Sequence, residues 1–166
     1  MTDSSKKQTE KVNIPNHVSM ESALGAACLL ITKSPTHKYL FSHDYEWMII
    51  PPIIAKQFSL FRNKKEEPIA FVSFASVNEE VEKRLLDGVL KLTPRDWVSG
   101  DRLYIIDIVS PFAPVSDILR QLSNGQLKDK NIKILKPNKD KKGMVAVSLQ
   151  DAVNEARNGK VGNENK

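Results

Sequence analysis

One cysteine, Cys28, in 166 residues leaves no internal disulfide to form and argues against a Cys-based metal site. The longest apolar runs, such as "ALGAACLLI", stop well short of the roughly 20 residues that a membrane span needs. The opening "MTDSSKKQTEKVN" is polar throughout and lacks the apolar core of a secretory signal, so the expected address is the cytoplasm. There is no internal repeat. No helix-turn-helix, zinc-finger or RNA-binding aromatic signature is present, and the lysines are not interleaved with stacking aromatics, so nucleic acid is not the expected partner.

What is there fits one globular domain. Hydrophobic residues make up 40% and charged residues 27%, enough for a core and a solvated surface. The net charge of +5 and a pI near 9.3 point to an acidic partner without identifying it. Part of that charge is local: from Lys128 to Lys142, seven lysines stand against Asp129 and Asp140. Such a run serves equally as a solvated loop face. Residues 1–15 and 158–166 are polar and read as disordered tails around a domain spanning 16–157.

Within the domain, "SMESALGAACLLITKS" predicts a helix that Ser19 or Ser22 can cap and that is packed on most sides. Pro35 disfavours helical geometry at Ser34 and should end it there. "YEWMIIPPIIAKQ" contains a Pro-Pro pair that cannot lie within a sheet, and it reads as a short strand or turn. "KQFSLFRNKKEEPIAFVSFASV" predicts a hairpin with its charged tip at Asn63 to Glu67. "NEEVEKRLLDGVLKL" predicts a helix capped by Asn78 and ended or weakened by Gly88. After a turn at "SGDR" comes the most strand-like segment, "LYIIDIVSPF". A short helix ("SDILRQLSNG"), two strands ("NIKILKP", "GMVAVSL") and an amphipathic helix ("LQDAVNEARNG") complete the order. The expected fold is α/β, one domain with a mixed sheet flanked by helices.

Two residues do not suit their surroundings. His37 falls half a turn past a helix end, on a bend beside Ser34 and Pro35. Asp107 lies inside an apolar strand, where strict alternation groups it with Leu103, Ile105 and Val109. Aspartate is disfavoured in strands, and a buried carboxylate costs several kcal/mol unless paired. Arg102, Arg95, a lysine or a histidine could be that partner. Alone, each anomaly is more simply structural; together they suggest an Asp–His pair, which orients an imidazole and fixes its tautomer. His17, at the tail junction, and His43, beside Asp44 in a polar turn, read as surface residues.

Taken in order, "SPTH", "WMIIPPI", "PIAFVSFA" and above all "DWVSGDRLYIIDIVSPF" resemble the RTX toxin-activating lysine acyltransferases, the haemolysin-activating family. The resemblance runs from about Leu24 to Phe112 and more loosely to about Leu149. It implies a fold similar to the GCN5-related N-acetyltransferases. It also implies a reaction that moves a fatty acyl chain from acyl carrier protein to internal lysines of an RTX protoxin. The family's catalytic histidine and aspartate fall on His37 and Asp107. Ser34 would then hydrogen-bond near the site or only end the helix, and Arg102 would belong simply to the "SGDR" turn or stand near the donor. No bound cofactor or metal is implied; the donor substrate is the acyl-phosphopantetheine of the carrier protein. A homodimer is the suggested assembly. The family's usual alanine before "PF" and glycine after it are replaced by Ser110 and Ala113, and the chain after Leu149 is short, which bears on protoxin choice and dimer contacts. "SPFAPVSD" stands where the N-acetyltransferases carry a pyrophosphate-binding loop, in agreement with a donor that has no adenosine pyrophosphate. Carrier proteins are acidic, which gives the lysine-rich segment a partner. The alternatives are an acyltransferase for a non-toxin protein or small amine, and a catalytically idle binding relative.

Overall fold

The computed structural model describes residues 18–161, with side chains to 158. The segment 1–15 and His17 lie outside the described residues, as does the chain beyond 161. Helix α1 (Met20–Lys33) begins as its sequence dictates: Ser19 Oγ accepts the Ser22 N–H at 3.1 Å. It ends at Ser34, whose N–H reaches the Ile31 carbonyl at 3.1 Å, immediately before Pro35.

The segment around the proline pair is helical, not a strand or turn. A single 3₁₀ turn at Ser42–Asp44 leads into α2 (Tyr45–Met48) and α3 (Ile50–Ile54), with Pro51 and Pro52 in the first turn of α3. The first N–H groups of a helix have no intrahelical acceptor, so proline costs nothing there. Paired prolines exclude a central strand, but a helix start accepts them equally well.

Strands β1 (Phe58–Arg62) and β2 (Pro68–Val77) form the expected hairpin. Helix α4 (Glu79–Leu86) is capped by Asn78, whose Oδ1 accepts the Val81 N–H at 2.9 Å, and it is closed by Gly88 at φ +90°. The "SGDR" turn passes so close to β2 that a Cβ on Gly100 would sit 2.6 Å from Asn78 backbone atoms. Strand β3 (Arg102–Val109), helix α5 (Val115–Asn124), strands β4 (Ile132–Pro137) and β5 (Met144–Ser148), and helix α6 (Leu149–Val161) follow. α6 thus runs past position 157.

The five strands lie in chain order, all antiparallel except the β3–β4 pair, which α5 connects. Helices cover both faces. α5 and α6 pack on one face around Ile118, Leu122 and Ala152. α1 and α3 pack on the other over Leu60, Phe71 and Val109, and α4 packs beside them over Ala75, Trp97 and Tyr104. This α/β arrangement fits the GCN5-related N-acetyltransferase fold.

Two irregularities in the sheet bear on function. The β2–β3 register slips between Ser73↔Asp107 and Phe74↔Ile105, so Ile106 is an extra residue in β3. Strict alternation would keep Ile105 and Val109 on one face. Instead Ile105 packs with the α5–α6 cluster and Val109 with the α1 cluster. A bulge of this kind re-aims side chains. It turns Asp107 to the α1 face, not to the face shared by Leu103 and Ile105. The second irregularity is that β3 pairs with β4 only from Leu103 to Ile105, although β3 continues to Val109. The two parallel strands part beside Asp107.

Candidate active site

His37 is held by two successive tight turns at the end of α1. Its own N–H and that of Lys38 both reach the Ser34 carbonyl, at 3.2 and 3.0 Å, and its carbonyl accepts the Leu40 N–H at 3.0 Å. Pro35 forces this bend by ending the helix. The imidazole projects back over the sheet, where its Nε2 lies 3.0 Å from Asp107 Oδ1. The side chains are 12% and 19% exposed, so the pair is shielded without being sealed.

The other ring nitrogen is equally engaged. Ser34 Oγ lies 2.6 Å and Thr36 Oγ1 2.9 Å from Nδ1, and the two hydroxyls are 3.2 Å apart. A carboxylate can only accept, so the neutral ring carries its proton on Nε2 and leaves the Nδ1 lone pair facing the hydroxyls. Ser34 is buried and holds the ring from the protein side; Thr36 is exposed and holds it from the solvent side. Sequence reading passed over Thr36, and only its adjacency to His37 could have signalled it.

Ser34 and the histidine–aspartate pair are therefore brought together, across 70 residues in the case of the pair. Arg102 is not among them. It stands at the opposite end of β3, five residues from Asp107 and roughly 16 Å along the strand at ~3.3 Å per residue. There it pairs with Glu82 at 3.1 Å and Glu79 at 3.5 Å. His43 is exposed on the surface and lies 3.5 Å from Glu46.

The Glu82 cluster is a second polar centre on the same strand. Glu82 receives the Tyr104 hydroxyl at 2.6 Å and Lys133 Nζ at 3.1 Å besides Arg102. The Tyr104 hydroxyl, then Lys133 and Arg102, hold its carboxyl below the ordinary glutamate value despite partial burial. Burial, and then the hydrogen bond to Glu82, push the Tyr104 phenol far above its usual range. Of the seven lysines between 128 and 142, Lys133 pairs here and Lys136 pairs with Glu155.

Among the described residues, no cluster of three or more His, Cys, Asp or Glu side chains could hold a metal, and no helix is long and apolar enough to cross a membrane.

Residues 16–150 match the model of the RTX toxin acyltransferase family. The chain belongs to that family. As a member it is an acyltransferase, and its curated relatives agree. It is 30% identical over 103 residues to the lysine-acyltransferase RtxC of Vibrio cholerae, covering 62% of this chain and 67% of that one. It is 37% identical over 89 residues to a leukotoxin-activating lysine-acyltransferase LktC of Mannheimia haemolytica, covering 54% and 53%. The protein-lysine myristoyltransferase HlyC of Escherichia coli is 34% identical over 89 residues, covering 54% and 52%. The match thus spans about two thirds of the first relative and about half of the other two.

Proposed function

We propose that this acyltransferase moves a fatty acyl chain from acyl carrier protein to internal lysine side chains of an RTX protoxin, with His37 as general base and Asp107 as its orienting partner. The observation that carries the reading is the 3.0 Å contact between His37 Nε2 and Asp107 Oδ1 beneath an Nδ1 that offers its lone pair.

Amide formation needs a neutral amine, and free lysine has a pKa near 10.4. Deprotonation at pH 7 therefore costs about 4–5 kcal/mol. A base placed to take the proton as the C–N bond forms recovers ~10²–10⁴-fold in rate. The lysine nitrogen attacks the thioester carbonyl and its proton passes to Nδ1; the Thr36 hydroxyl is displaced, and the Ser34 hydroxyl turns from donating to Nδ1 to accepting from it. Asp107 stabilises the imidazolium at Nε2. The C–S bond then breaks, and the imidazolium returns its proton to the departing phosphopantetheine thiolate. Ser34 presents the same distance to Nδ1 that a serine nucleophile would, but its burial withholds it from a thioester, so it acts by holding the ring.

The parting of β3 and β4 beside Asp107 supports an acyl-pantetheine donor, because the outer edge of β3 past Ile105 offers backbone donors and acceptors to the amides of a pantetheine arm. The exposed lysines of the β4–β5 loop, Lys139, Lys141 and Lys142, suit an acidic carrier protein. In this reading the reaction takes place in the cytoplasm, and the homodimer suggested by the family resemblance is checked by sedimentation.

The test is to incubate purified protein with carrier protein bearing a mid-length acyl chain and an RTX protoxin fragment, following intact mass for the wild type and His37→Ala. Acyl mass gained by the fragment with the wild type alone is the expected result. Donor consumed without transfer would redirect the reading to another protein or a small amine. A donor left untouched over several chain lengths would leave a binding relative.

A further inference from the structure

Asp107 uses one carboxylate oxygen on His37; the other, Oδ2, is buried and has no partner among the described side chains and backbone. Directly opposite, in register across β2 and β3, stands Ser73. The residue is 1% exposed, and its Oγ is likewise buried and without a partner among the described residues. We infer that Ser73 is a positioning residue for the acyl transfer: its hydroxyl hydrogen-bonds Asp107 Oδ2, directly or through one water, and fixes the carboxylate against His37.

Three considerations carry this inference. The first is reach. Side chains directly opposed across an antiparallel pair have their Cβ atoms about 4.5–5.5 Å apart, which a serine rotation or a single water bridges to a carboxylate. The second is complementarity. An ionised carboxylate only accepts and a hydroxyl can donate, so the two bare atoms satisfy each other and neither is satisfied by the apolar groups around them. The third is the bulge. Val72 and Phe74 pack toward the α5–α6 face, which leaves Ser73 on the α1 face. Ile106 as the extra residue turns Asp107 onto that same face. Without the bulge the serine and the aspartate would not face each other.

The consequence is mechanical. A carboxylate bonded only at Oδ1 can turn about its last bond and let the imidazole follow. Bonded at both oxygens it cannot, and the ring keeps its proton on Nε2 and its lone pair on Nδ1. Ser73 is too deeply buried to meet either substrate, so it acts through Asp107.

This inference rests on His37 and Asp107 being the catalytic pair, and its test has one arm that needs no substrate. Nitrogen NMR of the histidine rings, with His37 assigned from His37→Ala, reports the tautomer directly. Ser73→Ala is expected to shift His37 from one Nε2–H tautomer to a mixture. In acyl transfer it is expected to lower kcat roughly tenfold, the size of a hydrogen bond to a charged group, with KM for both substrates held within about twofold. In an Asp107→Asn background it is expected to cost less than a further twofold, because the residue it positions is already lost. Ser73→Cys keeps the volume with a weaker donor and should fall between wild type and alanine; it carries the test should the alanine variant not fold. An unchanged tautomer, an unchanged kcat, or a loss of equal size in both backgrounds would overturn the inference. If no substrate is ever acylated the functional reading fails, and the tautomer measurement still decides the role of Ser73.

Discussion

Strand β3 carries a polar cluster at each end, and the two are built differently. At its start, Glu82 is surrounded by the Tyr104 hydroxyl, Lys133 and Arg102. At its end, Asp107 bonds His37 through one oxygen, and the other ring nitrogen lies between the buried Ser34 hydroxyl and the solvent-facing Thr36 hydroxyl. The first cluster is saturated with donors: Tyr104, Arg102 and Lys133 all bond the one carboxylate, whose role is to pin α4 to the sheet. The second has a proton site whose occupant can change. Perturbed or buried charge alone does not mark an active site, since structural networks show it too. What separates the two ends of β3 is whether a group in the cluster is free to act on something outside it.

On the proposed reading, the largest effects should come from the His37–Asp107 end. His37→Ala and Asp107→Asn should each lower acyl transfer by about 10²–10⁴-fold while the melting temperature stays within a few degrees. Mass spectrometry of the acceptor alongside thermal melting checks both halves. Retained activity in either variant would remove the distinction between the clusters.

The saturated end should behave in reverse. Glu82→Ala leaves Lys133, Arg102 and the Tyr104 hydroxyl without their acceptor. It should cost roughly 1–3 kcal/mol of stability, discounted from a buried pair because Arg102 and Lys133 are over a third exposed. Activity per folded molecule should hold. Denaturant midpoints and an active-fraction assay separate the two.

Acid sharpens the same contrast. Glu82 titrates below the ordinary value of 4.5 when folded, so its contribution is complete above that pH. It is lost as pH falls through the folded value. Glu82→Gln should therefore flatten the fall of stability below about pH 4.5 and leave the curve near neutrality parallel to wild type. A fall of equal steepness in the variant would assign acid unfolding to other carboxylates.

Smaller changes test the surroundings of Nδ1. Ser34→Ala removes the inner anchor of the ring and should lower kcat roughly fivefold, near the value of one hydrogen bond. Thr36→Val removes a group that, in the proposed mechanism, the substrate displaces, and should change kcat by less than about threefold. The reverse order would mean that Thr36, not Ser34, sets the ring.

Most of the element order was legible because it is written in local chemistry. Ser19 and Asn78 cap where their side chains can reach the first free N–H groups, Pro35 ends α1, and Gly88 takes the positive φ that ends α4. Pro51 and Pro52 misled because they exclude a strand interior and permit a helix start with equal force. At the site, Asp107 stood out by being polar where its strand neighbours were not, and His37 by falling just past a helix end beside Ser34 and Pro35. Arg102 and Lys133 stood in the same sequence with no sign that Glu82 would claim both.

The sequence by itself determined where most helices and strands begin and end, and which two side chains were out of place, because caps, turns and periodicity act over a few residues. Only the tertiary structure decided which way Asp107 points. A single extra residue in β3 reverses every side chain beyond it. Whether that residue is extra depends on how β2 pairs across the sheet, a choice made by packing on both faces and not by the strand alone.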